Sequence, residues 1–180
     1  MQQFTNNGWH ILGTAGFLAA QVTELQLALE QNIPFVAYRD SAYGGKISVM
    51  RFNNGLWESV ELPGFSAGQA HALSLALRND GQPFVAFADA ENADKASVMT
   101  FEQGQWIAVG RLGFSTAAVT QLSLAIEGNS PFLAYADSEY ADKLTVMKFV
   151  FPNDSDGDGV PNDSDICEGG NDHLDTDQSA

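Results

Sequence analysis

Three aspartates alternate in the run Asp154-Ser155-Asp156-Gly157-Asp158-Gly159, and two more follow at Asp163 and Asp165. Carboxylates at alternate positions of a tight loop converge on one point, and Gly159 permits the sharp turn this requires. The Val160 carbonyl then points inward as a neutral ligand. Asp165 falls at position 12 counted from Asp154, where an EF-hand-like loop places its closing carboxylate. Calcium takes six to eight hard oxygens. Asp154, Asp156, Asp158, Val160 and Asp165, with Asp163 beside them, offer such a set, so the sequence predicts a calcium site. No helical periodicity flanks the loop, which argues against a paired EF-hand, and aspartate at the closing position reaches less far than glutamate. The competing reading is a solvated acidic tail without fixed structure.

The stretch from Asp154 to Cys167, with its trailing Ile166-Cys167, resembles the thrombospondin type 3 calcium repeats of extracellular proteins. That resemblance implies a chain of calcium sites and a cysteine that pairs with one in a neighbouring repeat. Asn171-Asp172-His173-Leu174-Asp175-Thr176-Asp177 starts a second such unit without its glycine turn or cysteine, so Cys167 has no partner in this chain. The expected location is extracellular or cell-surface. The start of the chain, Met1-Gln2-Gln3-Phe4, has neither a basic region nor an apolar signal core, so the expectation is a mature or trimmed form of an exported protein, with a cytoplasmic protein as the alternative.

The elements before this tail repeat. Leu25 to Phe52, Leu73 to Phe101 and Leu122 to Phe149 share the skeleton L-x-L-A-[LI], P-F-[VL]-A-[YF]-x-D, five residues, K-x-[ST]-V-M-x-F, with starts 48 and 49 residues apart. Each unit reads as short alternating strands: Leu25–Leu29, Phe35–Tyr38 after Pro34, Lys46–Phe52, and a fourth carrying Trp57 or Trp106 after a Gly-containing turn. Four antiparallel strands in such a length match one propeller blade, roughly 40–50 residues. The expected fold is therefore all-β, a β-propeller of four-stranded antiparallel blades with three blades per chain. Residues 1–151 form the propeller part and 152–180 the acidic tail. The skeleton also resembles repeats of exported bacterial propeller proteins across residues 16–151, a general likeness that transfers no catalytic residue.

The ends are out of register with the repeat. Phe4 and Trp9 are spaced like Phe52 and Trp57 and like Phe101 and Trp106, whereas the third unit stops near Phe149 without a tryptophan strand. The chain thus reads as beginning with a fourth strand and ending without one. Propellers typically carry four to eight blades. Either two chains close head to tail into six blades, a homo-oligomer by blade completion, or the chain is a piece of a longer propeller with open sheet edges.

Charge narrows the partners. Of the net −15, the last thirty residues carry −9, from eight Asp and one Glu with no Lys or Arg. An anionic surface of this kind repels nucleic acid and anionic membranes, and cations complement it. No stretch approaches the roughly 18 apolar residues of a membrane span.

Within the repeats, Asp40 and Lys46, Asp89 and Lys95, and Asp137 and Lys143 recur six apart. They read as a turn cap or cross-hairpin ion pair rather than as ligand contacts, because blade geometry demands them in every copy. Trp9, Trp57 and Trp106 suit packing between sheets, with sugar stacking as the alternative. Met50, Met99 and Met147 read as packing. Tyr43, Asn92 and Tyr140 vary at one loop position, as a binding rim would. His10, His71 and His173 are scattered, and no nucleophile elbow, zinc-protease motif or phosphate-binding glycine loop is present. The expected function is a non-enzymatic binding or assembly module of adhesion type. A carbohydrate-binding lectin with sites between blades, and a propeller glycosidase or lyase, are the alternatives.

Overall fold

A computed structural model describes residues 8–151. The described body is all-β and propeller-like, with three antiparallel sheets that follow the three repeats. Sheet one holds β1 (Val22–Glu30), β2 (Ile33–Asp40), β3 (Lys46–Asn53) and β4 (Leu56–Ser59) in that order. Sheet two repeats it with β5 (Ala70–Leu77), β6 (Pro83–Asp89), β7 (Lys95–Glu102) and β8 (Gln105–Ala108). Sheet three has β9 (Val119–Glu127), β10 (Ser130–Asp137) and β11 (Lys143–Lys148), and no fourth strand among the described residues.

The sheets stack face to face, with the first strands β1, β5 and β9 side by side. Side chains alternate across a strand, so a sheet between two others must be apolar on both faces. The β6 sequence Pro-Phe-Val-Ala-Phe-Ala-Asp meets that condition and is buried throughout. Its Val85 and Phe87 join Phe35, Ala37, Ile47 and Val49 of sheet one. Its Phe84, Ala86 and Ala88 join Val119, Leu124, Leu133 and Tyr135 of sheet three.

The first strands bulge at a shared place, between Thr23 and Gln26 in β1 and between His71 and Ser74 in β5. Glu24 and Ala72 there adopt left-handed φ values of 52° and 46°, a conformation that costs a non-glycine residue about 1–3 kcal/mol. Neither residue type signals it in the sequence. The linkers fold back along the third strand of the sheet they leave: Phe65 N–H donates to Ile47 O and Phe114 N–H to Ala96 O, both at 2.9 Å.

Gly8 to Gln21 forms no strand within the single chain, because the edge it is spaced to join, β11, belongs to sheet three, whereas this segment leads into sheet one. One expectation needs correction. Met50 is buried and Met99 half-buried, but Met147 is exposed: it borders the gap toward sheet two beside Val109 and Phe114, where sheet three has no tryptophan-bearing fourth strand among the described residues. No helix among the described residues is long and apolar enough to cross a membrane.

Candidate functional site

The repeated aspartates prove to be structural. Each caps a 3₁₀ turn at the end of its strand: Asp40 accepts from Ala42 N–H, Asp89 from Glu91 N–H and Asp137 from Glu139 N–H. The second carboxylate oxygen accepts from Ser48 Oγ at 2.9 Å, Ser97 Oγ at 3.0 Å or Thr145 Oγ1 at 3.3 Å. Those serines in turn accept from the next linker, Gly64 N–H to Ser48 and Gly113 N–H to Ser97. Lys46, Lys95 and Lys143 stand opposite the aspartates in register. With both oxygens engaged, Asp40 and Asp89 hold their hairpins to the linker that starts the next sheet, and Asp137 holds its own hairpin.

The same buried ends perturb two phenols. Burial first, and then the Asp40 carboxylate, push the Tyr38 hydroxyl up to about 12. Burial and Asp137 raise Tyr135 as well. Tyr43, Asn92 and Tyr140 each end a 3₁₀ turn. Asn92 Nδ2 donates to Asp89 at 2.8 Å, while Tyr43 and Tyr140 are exposed.

Trp57 and Trp106 pack rather than face a ligand. Trp57 stacks on Phe17 and Trp106 on Phe65, with ring planes within 7° and 9° of parallel. His10 and His71 are exposed. The predicted calcium ligands Asp154, Asp156, Asp158, Val160, Asp163 and Asp165 lie outside the described residues. Among the described residues no cluster of three or more His, Cys, Asp or Glu could hold a metal.

A cleft opens where the β5–β6 and β9–β10 turns meet, between sheets two and three. It measures about 270 Å³; Arg78, Gln82, Thr100, Glu102 and Asn129 line it on one side, and Phe84, Ile107, Val109, Phe149 and Phe151 make most of its wall apolar. Arg78 in its wall is fixed: Nε donates to Asp80 Oδ1 at 3.0 Å, a second nitrogen donates to the other Asp80 oxygen, and Nη1 donates to Asn129 Oδ1 at 3.2 Å. The guanidinium holds Asp80 below the usual carboxylate range, partial burial opposing it and Gln82 N–H reinforcing it. Arg carries five N–H donors, so these bonds leave two. Gln82 Nε2 donates to Thr100 Oγ1, which donates to Pro83 O. Phe149 and Phe151 meet edge to face at 5.0 Å.

Sequence reading misses this cleft for a physical reason. Glu30, Ile33 and Arg51 stand at the repeat positions of Arg78, Gln82 and Thr100, so no pattern marks them. The cleft also exists only once two sheets stack.

No family model matches the chain, and no curated protein does. Among solved structures it is similar to a fucose lectin from Kordia zhangzhouensis in complex with methyl-fucoside, at 11% identity and a TM-score of 0.45, over 69% of this chain and 90% of that one. It is also similar to a bifunctional GH43-CE protein of Bacteroides eggerthii, at 12% identity and a TM-score of 0.47, over 75% of this chain and 20% of that one.

Proposed function

We propose that this chain is a non-enzymatic binding and assembly module of an extracellular or cell-surface protein, that its ligand seat is the Arg78 cleft, and that the ligand is a hydroxyl-rich molecule such as a glycan. The cleft carries this reading. It combines a fixed cationic donor, amide groups on Gln82 and Asn129, a carboxylate on Glu102 and two aromatic rings. Such convergent polar groups beside an apolar wall are how small-ligand sites orient their ligands. Its volume falls just below the roughly 300–1,000 Å³ of most small-molecule sites, a size for one ring-sized unit. A binding role is favoured over catalysis because the buried carboxylates of the body are spent on turns, each accepting from a backbone N–H and a hydroxyl.

Calorimetry against a panel of monosaccharides should give saturable binding. Arg78→Ala should weaken it about 10–100-fold, the loss expected of a hydrogen bond to a charged group. If no sugar binds at millimolar concentration, the glycan reading fails; if Arg78→Ala binds as tightly as the parent chain, the seat is elsewhere.

The acidic tail takes calcium in this reading, through Asp154, Asp156, Asp158, the Val160 carbonyl, Asp165 and Asp163. Calcium titrated into the chain should give heat that Asp156→Asn with Asp158→Asn removes. A featureless titration up to millimolar calcium would return the tail to the solvated reading.

A further inference from the structure

Three contacts recur where one sheet meets the next, and the two ends of the body each hold half of every one. The first is a tryptophan in a socket. Trp57 on β4 stacks on Phe17 at 5.1 Å and its indole N–H donates to Leu12 O at 3.0 Å. Trp106 on β8 stacks on Phe65 at 4.0 Å and donates to Val60 O at 3.4 Å. In sequence, each socket follows the preceding tryptophan at fixed spacing: Trp9-Leu12-Phe17, Trp57-Val60-Phe65, Trp106-Val109-Phe114. The third socket, Val109 and Phe114, faces sheet three, whose strands carry no tryptophan. A cavity of about 160 Å³ lies there, lined by Val109, Gly110, Phe114, Leu133, Met147 and Phe149. At the other end, Trp9 is fully exposed.

The second contact lays a linker glycine on the 3₁₀ turn of the sheet before it. A Cβ added to Gly64 would come within 2.8 Å of Tyr43 Cβ, and one added to Gly113 within 2.6 Å of Asn92 Cβ. Gly16 holds the same repeat position and has nothing within 4 Å, while Tyr140, the matching turn residue of sheet three, is 59% exposed against 46% for Tyr43 beneath its glycine.

The third is the sheet face itself. Leu73 and Leu75 are 4% and 7% exposed against sheet one, but Leu25 and Leu27 at the matching places of β1 are both 60% exposed. Ile47 and Val49 are 0% and 2% exposed, but Leu144 and Val146 at the matching places of β11 are 75% and 61% exposed.

Trp9 cannot reach the empty socket of its own chain. Leu12 is held at Trp57, and three residues span at most about 10 Å. The Phe114 socket lies two sheet spacings further, roughly 20 Å at about 10 Å each. We propose that a second copy of this chain supplies the missing halves: sheet one of one copy packs on sheet three of the other, and its Trp9 fills the Phe114 socket. Two such junctions close a ring of six sheets, within the four to eight of propellers, whereas three copies would give nine. The interface is heterologous and closes on itself. It stands whether or not the Arg78 cleft takes a glycan.

Light-scattering mass measurement on the full chain should give about twice 19.3 kDa. Trp9→Ala removes a side chain with no neighbour in the isolated body, so circular dichroism should be unchanged, while the dimer dissociation constant rises about 30-fold or more, as for a central interface tryptophan. Leu144→Glu should act likewise from the other end. Mixing the two variants is the decisive measurement. Each alone has no intact junction, but a mixed pair regains one, so the mixture should dimerise where neither variant does. A parent chain that stays monomeric at high concentration, a mass above the dimer, or a mixture no better than its components would each overturn the proposal.

Discussion

Ile47→Ala should destabilise the body by about 2–5 kcal/mol, whereas Leu144→Ala, at the same place in the repeat, should cost less than about 0.5 kcal/mol. Ile47 lies between sheets one and two with no exposed surface, among Phe35, Val49, Val85 and Phe87. Removing its three carbons loses their transfer energy and leaves a cavity that a close-packed interior cannot fully collapse. Leu144 is 75% exposed on the outer face of sheet three, so its truncation forfeits little in a single copy. The comparison belongs in a Trp9→Ala background, where association does not cover Leu144. Denaturant unfolding should show a large fall in midpoint for Ile47→Ala at constant slope, and almost none for Leu144→Ala. For a body of this size the first corresponds to a fall in Tm on the order of 10 °C. Equal losses at the two positions would mean that the sheet faces are not the core.

That contrast also marks the limit of sequence reading. Strand positions were legible because alternation and turn residues fix them locally: Leu25–Leu29 lies within β1, Phe35–Tyr38 within β2, Lys46–Phe52 within β3, and Trp57 on β4. The missing fourth strand of the third unit was legible for the same reason. Burial was not, because identical residues have different neighbours in different copies: Leu27 and Leu75 are the same letter in the same pattern, one exposed and one core. The linkers carry a repeat signal of their own. Gly64-Phe65-Ser66 and Gly113-Phe114-Ser115 repeat after the strands end, and these residues carry the tryptophan sockets and accept Ile47 N–H and Ala96 N–H through Ser66 and Ser115. The Arg78 cleft had no such signal, since its residues differ from copy to copy.

The repeated aspartate gives the second large effect. Asp89→Ala should cost about 1.5–5 kcal/mol although Asp89 stands at the rim of its sheet. Its carboxylate is buried and accepts from Glu91 N–H, Asn92 Nδ2 and Ser97 Oγ. Losing the turn cap alone costs about 0.5–2 kcal/mol. Ser97 is fully buried and, with Gly113 N–H already donating to it, its hydroxyl proton then has no acceptor, a further loss of about 1–3 kcal/mol. Asp89→Asn keeps one acceptor oxygen and should lose about half as much, because either the cap or the serine bond survives. Denaturant midpoints for both variants check this ordering. If Asp89→Ala falls within about 1 kcal/mol of the parent chain, the aspartate acts only as a surface cap, and its recurrence in all three units would again need a ligand to explain it. If the ordering holds, repetition here marks a part that every sheet must have in order to hold the next one, and residues that recognise a ligand are to be sought where the copies differ.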